Sequence, residues 1–242
     1  MTIWNRAKPV QSHPYLTEKG IEAHGLRHNR RGHLIVPMRD IDGQLWSVQT
    51  ISPEGKASFM REGRKQGTHL LLGELRPGVP VIITEEFATA ATVREATNLP
   101  TIAALDSHNL LAVAQAYRER DPQHPIIFVA GDVQHRGLRD AEPPNLGLER
   151  AAAAAKAVKG ILLTPGFGPA GKGRDQLRAD LRSHGIDLPL PPASRQVITQ
   201  ADRDAARQRT TAFPQGRPSD ADQQATEAAR AAHRLRSKGL GL

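Results

Sequence analysis

The run Val81-Ile82-Ile83-Thr84 ends on two carboxylates, Glu85 and Glu86, and passes at once into Phe87-Ala88-Thr89-Ala90-Ala91. β-Branched residues favour a strand and alanines favour a helix, so Glu85 stands at the carboxyl end of a strand, where open α/β sheets gather ligands. Phosphoryl and nucleotidyl transfer need negative charge neutralised on the attacked phosphate and on the leaving oxygen. Hard divalent ions held by carboxylates do this, and a glutamate at one strand end with acids at neighbouring strand ends would form such a site. A second reading of Glu85 is a helix N-terminal acid stabilised by the helix dipole.

Positioning such a group requires a sheet. From Val79 onward strand and helix patterns alternate, which argues for βαβ units and a largely parallel sheet. The pattern predicts strands at 81–84, 101–105, 126–130 and 161–163, with helices at 87–97, 109–119, 146–158 and 174–184. Helix 146–158 holds Ala151 to Ala155, a run that suits either close approach to a sheet or simply high helix propensity. Asp106-Ser107 stands at another strand end and equally reads as a cap for the helix that follows.

Ahead of this region a short helix is expected around Tyr15 to His24. Strands follow at Leu34 to Met38 and Leu45 to Ile51, joined through Asp42-Gly43, whose residues tolerate the positive φ of a tight hairpin turn. A third is expected at Ala57 to Met60. Alternation along these strands predicts that Trp46 and Phe59 are buried, although either could stack on a base.

Five stretches resemble, in order, the plasmid and phage DNA primases. Glu85-Glu86-Phe87-Ala88-Thr89-Ala90 is similar to the EGYATA signature of their Toprim domain, and Ala104 to Leu110 to an "afDaGNL" element. Val129-Ala130-Gly131-Asp132 is similar to "iAGDDD", His13 to Ile21 to "YL..RGI", and Leu34 to Ile51 to the hairpin before the core. The resemblance spans roughly residues 3 to 188. It implies an α/β fold with a Toprim-like, largely parallel sheet flanked by helices and preceded by a small β-rich basic subdomain; composition adds a helical tail after it. The divisions expected are 1–78, 79–190 and 191–242.

The resemblance also implies a catalytic role for Glu85 and a magnesium site shared by Glu85, Asp132 and Asp106. Three features depart from it. Gln134 replaces the second aspartate of the D-x-D pair, and Glu86 replaces a glycine that lets the chain turn closely. A later acidic cluster is reduced to Asp175. Two functions therefore stand, ahead of a third and weaker one, a Toprim nuclease. One is a primase acting on single-stranded DNA with Mg²⁺ and nucleoside triphosphates, in plasmid replication or conjugation and with impaired chemistry. The other is a catalytically degenerate Toprim module that binds nucleic acid or docks on a relaxase or replication complex. His135 follows the acidic element as a solvated loop residue or a phosphate contact.

Composition agrees with a polyanionic partner. The formal charge is +8 with a pI near 10.3, and basic surfaces gain affinity for phosphates by releasing condensed counterions. Arg27, Arg30, Arg31, Arg39, Lys56, Arg61, Arg64 and Lys65 concentrate ahead of the acidic strand ends, as a nucleic-acid groove or as a solvated face. There is no cysteine, which excludes disulfides and cysteine-ligated zinc. No apolar run of membrane-spanning length occurs, so no membrane partner and a cytoplasmic location are expected. After Leu190 few branched aliphatics remain, and residues 191–242 carry nine Lys and Arg against five Asp and Glu. That tail, with helices expected at 198–209 and 220–237, reads as a linker or an arm for a partner.

Overall fold

The computed structural model describes residues 2–130, 145–166 and 172–188. Asp132, Gln134 and His135, and the helices expected in the tail, lie outside the described residues.

Among the described residues the strands form two five-stranded sheets. The first is antiparallel and runs in sequence order: β1 (Lys8–Pro9), β2 (Arg27–His28), β3 (Leu34–Arg39), β4 (Leu45–Ile51) and β5 (Ala57–Phe59). The β3–β4 hairpin turns where Asp-Gly predicts it, and Gly43 adopts φ 81°. Helices α1 (Thr2–Arg6) and α2 (Pro14–Lys19) accompany this sheet. The expected helix to His24 stops at Lys19, because Gly20 takes the left-handed conformation (φ 65°) and its amide donates to the Leu16 and Thr17 carbonyls. His13 caps its start, accepting from the Tyr15 amide at Nδ1 while Nε2 donates to the Gly32 carbonyl at 2.6 Å.

The second sheet contains β6 (Leu70–Leu72), β7 (Val81–Thr84), β8 (Thr101–Ala103), β9 (Ile126–Val129) and β10 (Ile161–Leu163), in spatial order β10-β9-β7-β8-β6. All neighbouring pairs are parallel except β6 with β8. Helices α3 (Phe87–Thr97), α4 (Leu110–Arg120), α5 (Leu146–Ala157) and α6 (Lys172–Ser183) cover it. Period-two alternation sends Val81 and Ile83 into one core with Val113, Tyr117 and Ala154, and sends Ile82 into another with Val93, Leu177 and Leu181. Both faces are therefore covered, as a parallel sheet requires. Within the alanine run, Ala151, Ala154 and Ala155 are buried in the first core while Ala152 and Ala153 are exposed. Close approach explains the former and helix propensity the latter.

The two sheets share one interior. Tyr15, Leu34, Val36, Met38 and Ile51 of the first half pack with Phe87, Ala90, Ala91 and Leu105 of the second. Backbone bonds join them as well: the Arg39 amide donates to the His69 carbonyl at 2.9 Å, and the His69 amide to the Arg39 carbonyl at 2.7 Å. β6 precedes the expected division at residue 78 yet belongs to the second sheet. The carboxylate of Glu95, on α3, accepts from the Glu22 amide at 2.7 Å and lies 3.0 Å from His24 Nε2 and 3.4 Å from a guanidinium nitrogen of Arg174. That pairing fastens the segment after α2 to α3 and α6, and a buried carboxylate is tolerated only when so paired.

Candidate active site

Glu85 leaves β7 at the position its sequence indicates. The parallel register sets Thr84 opposite Ala103, and the Leu105 amide donates to the Glu85 carbonyl at 2.7 Å. One residue later comes Asp106, so the two acids stem from adjoining strand ends. Leu105 itself is buried with φ 65°. A left-handed leucine costs roughly 1–2 kcal/mol, and it persists because packing and the Gln49 side chain, which donates to the Leu105 carbonyl at 3.3 Å, hold it.

The carboxyl of Glu85 is pushed above the usual glutamate range, first by burial and then by the charges of Glu86 and Asp106. The Arg150 guanidinium and the Ser107 amide oppose this. Arg150 also donates to the Ser107 hydroxyl at 2.7 Å, tying α5 to the turn after Asp106. A Cβ on Gly147 would come within 2.6 Å of Glu85 Oε2. The first turn of α5 thus closes on Glu85 at a residue without a side chain. Gly147 and Arg150 are three apart, hence on one helix face. The sequence signal for both is the spacing of a glycine and an arginine at the opening of an alanine-rich helix.

Asp106 realises its capping role. Its Oδ1 accepts from the His108 amide and lies 3.0 Å from His108 Nδ1. Burial works against ionisation here, but those hydrogen bonds and the charges of His108 and Lys65 outweigh it and hold the carboxyl below its ordinary range. Glu86 is exposed at the N-cap of α3 with φ −103° and ψ 154°. That is ordinary extended backbone, so a glycine is not needed at this turn. Asp175 is exposed on α6. Among the described residues, no three His, Asp or Glu side chains form a group that could hold a metal ion.

The basic residues divide by position. Arg30 and Arg31 occupy the β2–β3 turn and Lys56 the β4–β5 turn, at the same end of the small sheet. Arg27 lies over Trp4, 4.4 Å from the ring centroid, and donates to the Trp4 carbonyl, while Arg39 donates to the Gly43 carbonyl. Arg61, Arg64 and Lys65 are exposed on the loop after β5. Asn109 latches this loop: its Oδ1 accepts from the Gly67 amide at 2.8 Å, and its Nδ2 donates to the Thr68 and Ala104 carbonyls at 2.7 and 2.9 Å. In the sequence Asn109 stands out only as a member of the Ala104 to Leu110 element and as the start of a helix. Trp46 departs from expectation, being 46% exposed rather than buried. Phe59 is partly buried against the shared core.

No family model matches the chain. Two DNA primase TraC proteins of Escherichia coli are each 38% identical to it, over 161 and 165 residues. Those matches cover 64% and 66% of this chain and 15% and 11% of the relatives, so the chain spans only a small part of the proteins it matches. Among solved structures, the primase fragment of the bacteriophage T7 primase-helicase protein overlaps at a TM-score of 0.44 with 15% identity, covering 76% of this chain and 74% of that one. The DnaG primase catalytic domain bound to ssDNA overlaps at 0.41 with 13% identity, covering 81% and 76%. No helix among the described residues is long and apolar enough to cross a membrane.

Proposed function

We propose that this chain is a primase-type nucleotidyl-transfer domain of the plasmid or mobile-element kind, acting on single-stranded DNA with nucleoside triphosphates. In this reading the Toprim-like sheet carries the chemistry and the small basic sheet helps to hold the template. The observation that supports it best is the meeting of Glu85 and Asp106 at adjoining parallel strand ends, in a chain 38% identical to DNA primase TraC over 161 residues.

Glu85 and Asp106, with Asp132 by its place in the sequence motif, would hold Mg²⁺. Burial and neighbouring acidic charge raise the proton affinity of Glu85, and a divalent cation would relieve the same electrostatic pressure. When bound, the ion would neutralise charge on the reacting phosphate. Glu85 stands at the strand end where a proton would be taken from the attacking hydroxyl. Arg150 would limit that elevation, and Ser107 would keep Arg150 in place.

Primer synthesis on a single-stranded template, with Mg²⁺ and nucleoside triphosphates, tests the reading. Glu85→Gln is expected to abolish it, and undiminished synthesis would remove Glu85 from the mechanism. The second reading, a nucleic-acid-binding or docking module without catalysis, draws support from the engagement of Asp106 Oδ1 by His108 and from Gln134. Calorimetric titration with Mg²⁺ separates the two: heat that depends on Asp132, lost in Asp132→Asn, favours the enzyme. DNA binding with no such heat favours the module.

A further inference from the structure

Trp46 is a large aromatic residue left in solvent, and the protein invests several contacts in holding it there. Trp46 stands at the register shift of the β3–β4 ladder, between Ser47, which pairs with Met38, and Leu45, which pairs with Arg39. Val48 is covered by the small core that Trp4 and Met60 complete, whereas Trp46 lies beyond that cover and is 46% exposed. Its indole Nε1 donates to Asp40 Oδ2 at 2.6 Å. Asp40 is itself fixed, because its other carboxylate oxygen accepts from the Asp42 and Gln44 amides at 3.0 Å each. The Arg64 guanidinium lies 4.8 Å from the ring centroid, and Arg64 Nε donates to the Gln66 carbonyl at 3.1 Å. Ring plane and cation are thus both preorganised.

The surroundings specify the chemistry of what would cover the ring. Arg61, Arg64 and Lys65 are exposed on one loop, and Lys65 sits 3.9 Å from the Phe59 centroid. Asn109, three residues after Asp106, latches that loop through Gly67. An exposed indole with a guanidinium against its ring, beside a loop that also bears Arg61 and Lys65, suits a π-face that carries phosphates on its flank. A protein partner with an apolar patch would meet charge here. Stacking on an aromatic ring tolerates any base, because every base has such a face.

We propose that Trp46, with Arg64 against its ring, is a stacking platform for one base of a single-stranded nucleic acid whose phosphates run along Arg61, Arg64 and Lys65. The proposal rests on the nucleic-acid reading given above and names the group that this part of the surface recognises.

The chain has two tryptophans, so Trp4→Phe isolates the emission of Trp46. The full chain carrying Trp4→Phe is titrated at low salt with a thymidine oligomer and with an abasic deoxyribose-phosphate oligomer of equal length, with binding read separately by anisotropy. Quenching by the thymidine oligomer alone is expected. Trp46→Ala should weaken that oligomer's binding by roughly fivefold to a hundredfold, with Trp46→Phe recovering most of it and all variants matching the parent in circular dichroism. Equal binding of thymidine and abasic oligomers, or unchanged affinity in Trp46→Ala, would overturn the platform while leaving phosphate recognition intact. Failure of the unsubstituted chain to bind either oligomer would overturn both the platform and the nucleic-acid reading beneath it.

Discussion

Glu85 and Gly147 face one another so closely that a Cβ on Gly147 would lie 2.6 Å from Glu85 Oε2. The obstructing atom is the end of a flexible side chain, so a methyl group there would displace the carboxylate and leave the backbone where it is. Alanine is also the better helix residue by about 0.5–1 kcal/mol. Gly147→Ala is therefore expected to leave the denaturation midpoint unchanged or slightly raised, while primer synthesis falls by about tenfold to a hundredfold. Parallel activity and urea-unfolding measurements check it, and loss of stability matching the loss of activity would contradict this account.

Glu85→Gln should act on stability in the opposite sense to its effect on function. Burial, then Glu86 and Asp106, raise the folded pKa of Glu85, so ionisation at neutral pH costs the native state free energy. That cost is relieved as pH falls through the folded value. The glutamine variant should thus melt higher than the parent at neutral pH and converge with it in acid, while synthesis drops by about 10²–10⁴. Thermal scans across pH 4 to 8 read the first effect.

Asn109 makes three hydrogen bonds from a buried side chain, to Gly67, Thr68 and Ala104. Asn109→Ala strands a backbone amide and two carbonyls, each costing about 1–3 kcal/mol if left without a partner and less where water enters. A total loss of about 2–4 kcal/mol in urea unfolding is expected, with nucleic-acid affinity weakened because the loop bearing Arg64 and Lys65 loses its latch. Retained stability would mean that the loop is held by other means.

His69 gives the native state a pH dependence of its own. Burial lowers its pKa from 6.5 to about 4, and its Nε2 pairs with the Tyr117 hydroxyl at 2.7 Å. The unfolded chain takes up the proton near 6.5 and the folded chain resists it. The associated stability is therefore complete above pH 6.5 and is lost progressively towards pH 4, by about 3 kcal/mol. His69→Gln should flatten the slope of unfolding free energy over that interval. Tyr117→Phe, which keeps the titrating group, should cost about 1 kcal/mol at every pH.

Local pattern carried much of the fold. Val81 to Thr84 are β-branched and the alanines after Phe87 are helical, so Glu85 at a strand end was readable without knowledge of any neighbour. Asp-Gly placed the β3–β4 hairpin for the same reason: the constraint lies within the residues themselves. Other features were local but competed with each other. Gly20 ended α2 before His24 because a left-handed stop overrode the helical pattern that continued past it.

What the sequence alone determined was the β3–β4 hairpin, the alternation of strands and helices from Val81 onward and the type of chemistry at their ends, because backbone propensity and side-chain charge are properties of adjacent residues; the short strands β1, β2 and β6 carry no such local signal. The tertiary structure decided which groups share space: Gly147 and Arg150 against Glu85, Gln49 on the strained Leu105 carbonyl, Asn109 across to Gly67, Trp46 in solvent. Periodicity tells which face a side chain takes. Partners brought together from tens of residues away depend on how the sheets and helices pack, and that information appears only when the chain closes on itself.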